Sequence, residues 1–304
     1  MTGRVGTLIN LLDKCLVDGY GAKAAAGWTH PVATASNIAS YKMPSGTGFA
    51  LVINDAGANV TSTFKEAWAT GWESVAGVGS PVGSGTGQFP TAAQLLTSGH
   101  TVIRKSFDVS DTARDWILFA DSKSFYFFNL SGDTAVTYQC FGFGDIYSYG
   151  GTGDLYRCLI MGGNTENTGG ATNSGIDYLS AFNTAVAGNY MARQYSAIGG
   201  SLAVGKHGEA TKGSGTAFLG TGVYPNTSDA GGYLSPIFVH ETGGPSIRGT
   251  LRGLYQPLHP IASFTDLAAL NGNGAYAGKT FICIKTSRHG GVILVETSNT
   301  LATN

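Results

Sequence analysis

Charged residues are scarce in this chain of 304 residues. Asp, Glu, Lys and Arg make up only 12% of it, where globular domains average about 25%. Lys and Arg number 18 and Asp and Glu 19, so the formal net charge is −1. Such a chain lacks the excess positive charge that draws proteins to nucleic acid or to anionic membranes. We therefore expect neither partner, and recognition through shape and polar contact instead.

Cysteine is also sparse, and no Cys-x-x-Cys occurs. The absence of closely spaced thiols excludes zinc-ribbon and thioredoxin-like motifs. Apolar or aromatic neighbours predict that all four cysteines are buried free thiols. Cys140 and Cys158 would pair only if their strands bring them face to face. The four are Cys15, Cys140, Cys158 and Cys283.

Long hydrophobic runs are missing as well. None approaches the roughly 20 residues of a membrane-spanning helix. A secretory signal needs a basic start and an uninterrupted apolar stretch, but Asp13 and Lys14 interrupt the run after Leu12. We expect synthesis and retention in the cytoplasm.

Glycine and aromatic residues are abundant instead. Gly occurs 46 times, aromatic residues make up 11%, and the apolar share of 42% is ample for a core. A surface poor in charge and rich in Gly and Thr is common in β-rich proteins that pack against copies or neighbours. The composition therefore favours a β-rich protein that works in an assembly.

The start of the chain is predicted to be helical. Leu8 and Leu12 fall at helical spacing, Thr7 is placed to cap the start, and Gly19 is placed to end the helix. The pattern predicts a helix over residues 8–18. A helix of this length is marginal alone, so its apolar face needs a partner.

A Gly/Ala-rich arm follows the helix and ends in an aromatic residue. Residues 1–40 are predicted to form this helix and arm, which dock either on the chain's own β body or on a neighbouring subunit. We favour the neighbouring subunit, and we expect removal of the first thirty residues to leave a soluble body. The predicted interface residues are Leu8, Leu12, Cys15, Tyr20 and Trp28.

From residue 41 the apolar pattern becomes that of strands. Residues 41–55 read as a hairpin with a Gly-rich turn, and residues 63–75 as an aromatic-rich strand. The Gly/Pro-rich residues 80–91 are predicted to be a surface loop. Three strands are expected within residues 101–130, and their continuous apolar runs predict burial on both faces. Residues 135–163 extend the same meander.

The second half mixes irregular and strand-like segments. Residues 164–232 are predicted to be a Gly-rich insertion, within which residues 177–195 permit a short helix. Residues 279–297 read as a hairpin with its turn at residues 289–291. The predicted fold is mainly β: an antiparallel β-sandwich or partly closed barrel over residues 41–304, with one N-terminal helix.

Local motifs for catalysis or cofactor binding are absent. Residues 272–280, GNGAYAGKT, come nearest to a phosphate-binding loop, but Asn273 stands where a glycine is needed and a strand-like run follows. Ser201 has the wrong glycine spacing for a nucleophile elbow. The six histidines are dispersed, and most are expected in loops or turns. We therefore expect no cofactor, no metal and no enzymatic activity.

Glycoside hydrolysis is the one reaction class that dispersed carboxylates leave open, because its two acids come from anywhere in a β fold. The candidates beside aromatic residues are Glu73, Asp115 and Asp145. Asp145 follows a glycine and is better explained as a turn-forming carboxylate. Exposed aromatic residues would equally serve a carbohydrate-binding protein.

Five segments occur in the order seen in one known family. They are LLDKCLVDGYGAKAAAGWT, WESVAGVGSPVGSGTGQFP, ARDWILFADSKSFYFF, FGDIYSYGGTGDLYRCLI and LRGLYQPLHP. Together they resemble virion structural proteins of tailed bacteriophages over residues 8–260. The resemblance implies a component of the neck, collar or tail, with no catalytic residues to carry over. The long Gly-rich stretch at residues 164–232 departs from that family.

The resemblance and the composition lead to one expectation with two alternatives. We expect a structural subunit that forms a symmetric ring or sheath and contacts copies of itself and other neck or tail proteins. It would be synthesised in the host bacterium and would reside in the virion. The alternatives are a receptor- or carbohydrate-binding adhesin of the tail or baseplate and, less favoured, a glycan-cleaving enzyme.

Overall fold

The computed structural model describes residues 6–56, 64–96, 98–132, 138–164, 188–207, 234–242, 246–257, 264–285 and 292–298. This part of the chain is mainly β, and its sheets are antiparallel, one of them curled into a half-barrel. The predicted fold class is therefore confirmed.

The helix and strands have the following bounds. The helix α1 (Thr7–Leu12) continues into a π-helical turn (Asp13–Asp18). The strands are β1 (Ile38–Lys42), β2 (Ala50–Asn54), β3 (Lys65–Gly77), β4 (Ser84–Phe89), β5 (Thr101–Ser106), β6 (Trp116–Ala120), β7 (Ser124–Asn129), β8 (Gln139–Asp145), β9 (Tyr147–Ser148), β10 (Cys158–Met161), β11 (Asn189–Met191), β12 (Leu202–His207), β13 (Leu234–Glu241), β14 (Ile247–Pro257), β15 (Ala269–Asn271), β16 (Thr280–Lys285) and β17 (Val292–Glu296).

The predicted N-terminal helix is confirmed, but its cap differs. Gly6, with φ 76°, is the N-cap, and Thr7 is the first helical residue without a side-chain cap. The carboxylate of Asp55 supplies the missing acceptor, because its Oδ2 accepts the N–H of Leu8 at 3.0 Å. A distant strand end thus satisfies a helix N–H group that a local Thr was expected to bind.

The first sheet is built around the long strand β3. The order is β1-β2-β3, with β4 and β5 both on the far side of β3. β4 pairs with its C-terminal half and β5 with its N-terminal half. The hairpin predicted at residues 41–55 is confirmed as β1 and β2.

The loop predicted at residues 80–91 is wrong, because β4 lies within it. Phe89 is fully buried and stands opposite Gly71 of β3. A Cβ on Gly71 would lie 2.4 Å from the Phe89 ring, so the missing side chain makes room for that ring. Backbone pairing and one buried aromatic residue therefore hold a strand whose glycines disfavour it.

The second sheet has the order β15-β16-β17-β14-β13-β12-β11-β10-β8-β7-β6, with β9 beside β14. β7 and β8 are buried at every position, as continuous apolar runs predict. β6 was expected to be equally central, but it is the edge strand and is half-buried throughout. β5, the other strand of that predicted group, belongs to the first sheet.

Two main cores flank the second sheet. The first lies between the two sheets and contains Phe125 and Phe143 from the second sheet, together with Tyr41, Phe89 and the N-terminal helix. The other is enclosed by the curled sheet itself, with Phe128 and Val239 among its members. The molecule is thus part sandwich and part open barrel.

The second half of the chain departs from the predicted insertion. Residues 165–187 and 208–233 lie outside the described residues, but β11 and β12 between them belong to the second sheet. Of the residues 177–195 that permit a short helix, only 188–195 are described, and these contain β11 and irregular structure instead of a helix. The C-terminal hairpin is confirmed by β16 and β17, while its turn at residues 289–291 lies outside the described part. Among the described helices, none has the length and apolarity needed to cross a membrane.

Candidate interaction site

The N-terminal helix and arm dock on the chain's own β body. Leu8, Leu12 and Trp28 are almost completely buried in the core between the sheets. Their side chains therefore offer almost no surface to a neighbouring subunit in this arrangement, and their role as interface residues stays a prediction that this burial does not support. The cause is the marginal stability of a short helix, which buries its apolar face on the nearest sheet.

Polar contacts fix the arm at both of its ends. The Tyr41 hydroxyl donates to Asp13 Oδ1 at 2.7 Å, and His30 Nε2 lies 3.3 Å from the same oxygen. At the far end the indole N–H of Trp28 donates to the carbonyl of Asp121 at 2.7 Å. The Trp28 ring packs edge-on against Phe125. The arm is consequently a fixed part of the fold.

A groove of about 580 Å³ lies between this arm and the edge strand β6. We call it the arm groove. It contains the two predicted interface residues that the core leaves accessible, Cys15 and Tyr20, and the Tyr20 ring meets Trp116 edge-on at 5.5 Å. The remaining lining residues are Lys23, Ala24, Ala26, Leu118, Phe119, Ala120, Asp121, Glu296, Thr297 and Ser298.

The backbone of β6 has one side that no described strand pairs with. On its inner side, Asp121 donates its N–H to the Ser124 carbonyl and Leu130 donates to the Asp115 carbonyl, both at 2.9 Å. In an antiparallel ladder, successive residues point their backbone N–H and C=O groups alternately toward the partner strand and away from it. Asp115 and Asp121 point toward β7, so the even-numbered residues between them point away from β7. These residues are Trp116, Leu118 and Ala120.

The thiol of Cys15 is poorly suited to reaction. It is half-buried in the arm groove, and burial raises its pKa above the ordinary value, which keeps the thiol protonated at neutral pH. All four cysteines are free. Cys140 and Cys158 belong to different cores on opposite faces of the second sheet, so they do not face each other.

A second surface gathers exposed aromatic and aliphatic side chains, and we call it the tyrosine surface. Tyr149 is 58% exposed, Tyr195 54%, Tyr147 42% and Ile247 39%. The rings of Tyr147 and Tyr149 meet edge-on at 6.5 Å. Tyr195 covers Gly150, where an added Cβ would lie 2.3 Å from its ring. Ile247 is close by, because β14 pairs with β9.

Buried charged side chains form a network beneath the tyrosine surface. Arg248 donates to both carboxylate oxygens of Asp154, at 2.7 and 2.8 Å, and contacts Glu241 at 2.7 Å. Burial alone would raise the pKa of Asp154, but hydrogen bonds from Arg248 and Ser148 lower it below the ordinary value. Glu241 also accepts the N–H of Tyr195 at 2.8 Å. The network therefore fixes the backbone that carries the exposed rings.

The three candidate acids have separate surroundings. Glu73 forms a two-point ion pair with Arg193, at 2.5 and 2.9 Å. Asp145 is buried, which raises its pKa, and it binds Thr47 and Arg157 at 2.7 and 3.0 Å. It therefore joins β8 to the β1–β2 hairpin rather than forming a local turn. Asp115 is exposed at the start of β6.

Two of the described histidines, His207 and His240, lie on the paired strands β12 and β13. His30 and His100 lie outside the strands, and His30 bonds the Ser40 carbonyl at 2.8 Å, so the expectation that most histidines lie in loops or turns stays a prediction. His100 is buried just before β5. His259 and His289 lie outside the described residues. Within the described ranges, no group of three His, Cys, Asp or Glu side chains is arranged to hold a metal.

Part of the tyrosine surface could be predicted from the sequence. Tyr147 and Tyr149 are two residues apart, a spacing that places both rings on one side of an extended segment. Nothing local indicates Tyr195, which lies far away in sequence and reaches the surface through the fold.

Comparison with protein-family models and with curated proteins finds no match for this chain.

Proposed function

We propose that this protein is a structural subunit of a tailed bacteriophage particle, placed in a symmetric ring or sheath at the neck, collar or tail. The low surface charge and the resemblance of five sequence segments support the proposal. Its partners would be copies of the same chain and adjacent virion proteins, and its residence would be the virion.

The tyrosine surface is the observation that carries a role in assembly. Tyrosine is enriched at protein interfaces because its ring offers a large rigid contact area and its hydroxyl a hydrogen bond. Three exposed tyrosines and Ile247 form one patch over a buried ionic network, so the patch is held rigid before any partner binds. Because the backbone under these side chains is already fixed, little conformational entropy is lost when a partner binds, and this favours binding through the tyrosine surface.

The test is incorporation into particles. Particles from the host that makes this chain are purified, and its copy number per particle is measured by quantitative mass spectrometry. We expect a fixed copy number, and loss of the chain from particles in the double variant Tyr149→Ser/Tyr195→Ser. Leu267→Ser is the matched control, because Leu267 is 50% exposed and lies outside both the tyrosine surface and the arm groove. Absence of the unmodified chain from purified particles would overturn the proposal.

The same tyrosines also support the adhesin alternative. Exposed tyrosine rings are suited to stacking on sugar rings, and their hydroxyls to bonding the sugar hydroxyls. This alternative expects the isolated chain to bind host glycans and the double tyrosine variant to lose that binding. Glycan-array binding by the isolated chain, with few copies per particle, would favour an adhesin over a ring subunit.

A further inference from the structure

The edge strand β6 lacks the side chains that usually protect a sheet edge, although the arm and residues 296–298 border it across the arm groove. Natural sheets shield their edges with charges, prolines or bulges, because an open edge pairs with any available strand. β6 reads Trp-Ile-Leu-Phe-Ala, with no charge and no proline, and its pairing with β7 is regular over all five residues. Each of these residues keeps part of its surface accessible. An edge of this kind is suited to pairing with another strand.

The outward backbone groups restrict how such pairing can occur. They belong to Trp116, Leu118 and Ala120, as the bonds at both ends of the β6–β7 hairpin require. In an antiparallel pair, residues that exchange two hydrogen bonds must both point outward. A second β6 in antiparallel orientation meets this condition when Leu118 faces Leu118 of the second copy. That register uses all three outward residues.

We propose that β6 pairs with β6 of a second copy of this chain across a two-fold axis at Leu118. The result is a continuous sheet through both copies, joined by about six backbone hydrogen bonds, two for each outward pair. This inference rests on the proposed assembly function and names one contact between copies; because a two-fold contact closes at a dimer, a ring also needs a second contact. The interface is isologous, as most contacts between identical subunits are.

The side chains of β6 are complementary to themselves in this register. Trp116, the largest, faces Ala120 of the second copy, the smallest, and the same pair recurs on the other side of the axis. Ile117 faces Phe119 on the opposite face of the sheet. Pairs of aromatic and β-branched or small residues are favourable across antiparallel strands.

The charged residues near the two ends of β6 also agree with a two-fold axis between the copies. Tyr20 and Lys23 form a tight turn through two 3.0 Å backbone bonds, and Tyr20 contacts Trp116. The exposed Lys23 therefore lies near the Trp116 end of β6, while Asp121, 21% exposed, follows the other end. Antiparallel pairing brings each Lys23 toward Asp121 of the second copy. Asp121 is mostly buried and already pairs with Arg252 at 3.2 Å, so the contact with Lys23 contributes little affinity and serves only to favour the antiparallel arrangement.

A cysteine at the axis tests the register directly. Leu118→Cys is made in a Cys15→Ala background, so that the groove thiol cannot compete. Facing residues of an outward pair have Cα atoms about 5.5 Å apart, which is within disulfide range. We expect a disulfide-linked dimer on a non-reducing gel after mild oxidation. Leu267→Cys in the same background is the matched control, because Leu267 is 50% exposed elsewhere, and it should stay monomeric.

A proline at the same position tests the backbone contact. The N–H of Leu118 points away from β7, so Leu118→Pro removes an outward donor without removing a bond of the β6–β7 hairpin. Sedimentation of the full chain is expected to show a monomer–dimer equilibrium that weakens about tenfold or more in this variant. Val109→Lys, at a 48% exposed apolar position, should leave the equilibrium unchanged. Circular dichroism confirms that each variant is folded.

The outcomes separate this inference from the proposed function. If the chain is incorporated into particles but Leu118→Cys gives no more dimer than Leu267→Cys, the β6 pairing is wrong and the assembly role stands. If the purified chain dimerises through β6 but is absent from particles, the assembly role in a virion is wrong. A chain that remains monomeric at all concentrations and does not cross-link overturns the pairing, and leaves β6 to another protein's strand or to this chain's own remaining residues.

Discussion

His100 is a residue whose burial makes the stability of the protein depend on pH. Its ring stacks on Trp68 with centroids 4.3 Å apart, and only 1% of its surface is exposed. Burial lowers its pKa from 6.5 to about 4. The unfolded chain therefore takes up a proton below pH 6.5, whereas the folded chain does so only near pH 4.

We expect His100 to reduce the free energy of unfolding as the pH falls from about 6.5 to 4. In that window the unfolded state binds more protons than the folded state, so acid favours unfolding, by about 3 kcal/mol across the full shift. Urea unfolding at a series of pH values measures the effect. His100→Phe keeps an aromatic ring against Trp68 and removes the titration, so its profile should be flatter. Parallel profiles for both proteins would contradict the assignment.

The buried ion pairs are features that the sequence alone does not predict. Arg104 and Glu66 are both fully buried and bond at 2.7 Å, yet nothing in the sequence near either residue indicates the other. Arg248 and Asp154 are 94 positions apart. Because each pair joins segments that are far apart in sequence, its partners are set by the fold, and local periodicity carries no information about them.

At the level of elements, apolar continuity predicted the strands that are most buried and failed for the others. β7, β8 and β17 were predictable because their side chains alone justify burial. β4 was not, since its pairing rests on backbone bonds and on the space that Gly71 leaves for Phe89. β6 is no less apolar than β7, so its place at the edge depends on which strands pair, and the sequence of β6 does not contain that.

The N-terminal arm packs on the chain's own β body, whereas its contact with a neighbouring subunit stays a prediction. Because Leu8, Leu12, Leu16 and Trp28 are core residues, removal of the first thirty residues takes away part of the core. We therefore replace the expectation of a soluble truncated body with one of unfolding or aggregation. The point variant below tests the same contact without truncation.

Trp28→Ala should destabilise the protein by about 3–5 kcal/mol. The substitution removes a buried indole from between Phe125 and Phe143 and leaves a cavity that the fixed sheets cannot close. It also leaves the Asp121 carbonyl without its 2.7 Å indole donor. The midpoint of urea unfolding measures the loss. Tyr20→Ala on the same arm should cost far less, because half of that side chain is exposed; equal losses would contradict the docked arm.

At the level of the whole molecule, the arm groove and the tyrosine surface are two separate contact regions. The groove is formed by the arm, β6 and the end of β17, whereas the tyrosine surface is formed by β9, β14 and the segment after β11. No residue belongs to both. A chain with two such regions can extend an assembly, because one contact joins copies and the other remains available for a neighbouring protein.

This separation predicts that the two contacts fail independently. Leu118→Pro should abolish pairing between copies and leave binding through the tyrosine surface unchanged, while Tyr149→Ser/Tyr195→Ser should do the reverse. Free-energy changes at sites without shared partners add, so the combined variant should lose both by the sum of the separate effects. Sedimentation measures the first contact and incorporation into particles the second. The contrary outcome is seen at a protein concentration where the unmodified chain is monomeric and is still incorporated. If Leu118→Pro is not incorporated under those conditions, the two surfaces do not act independently.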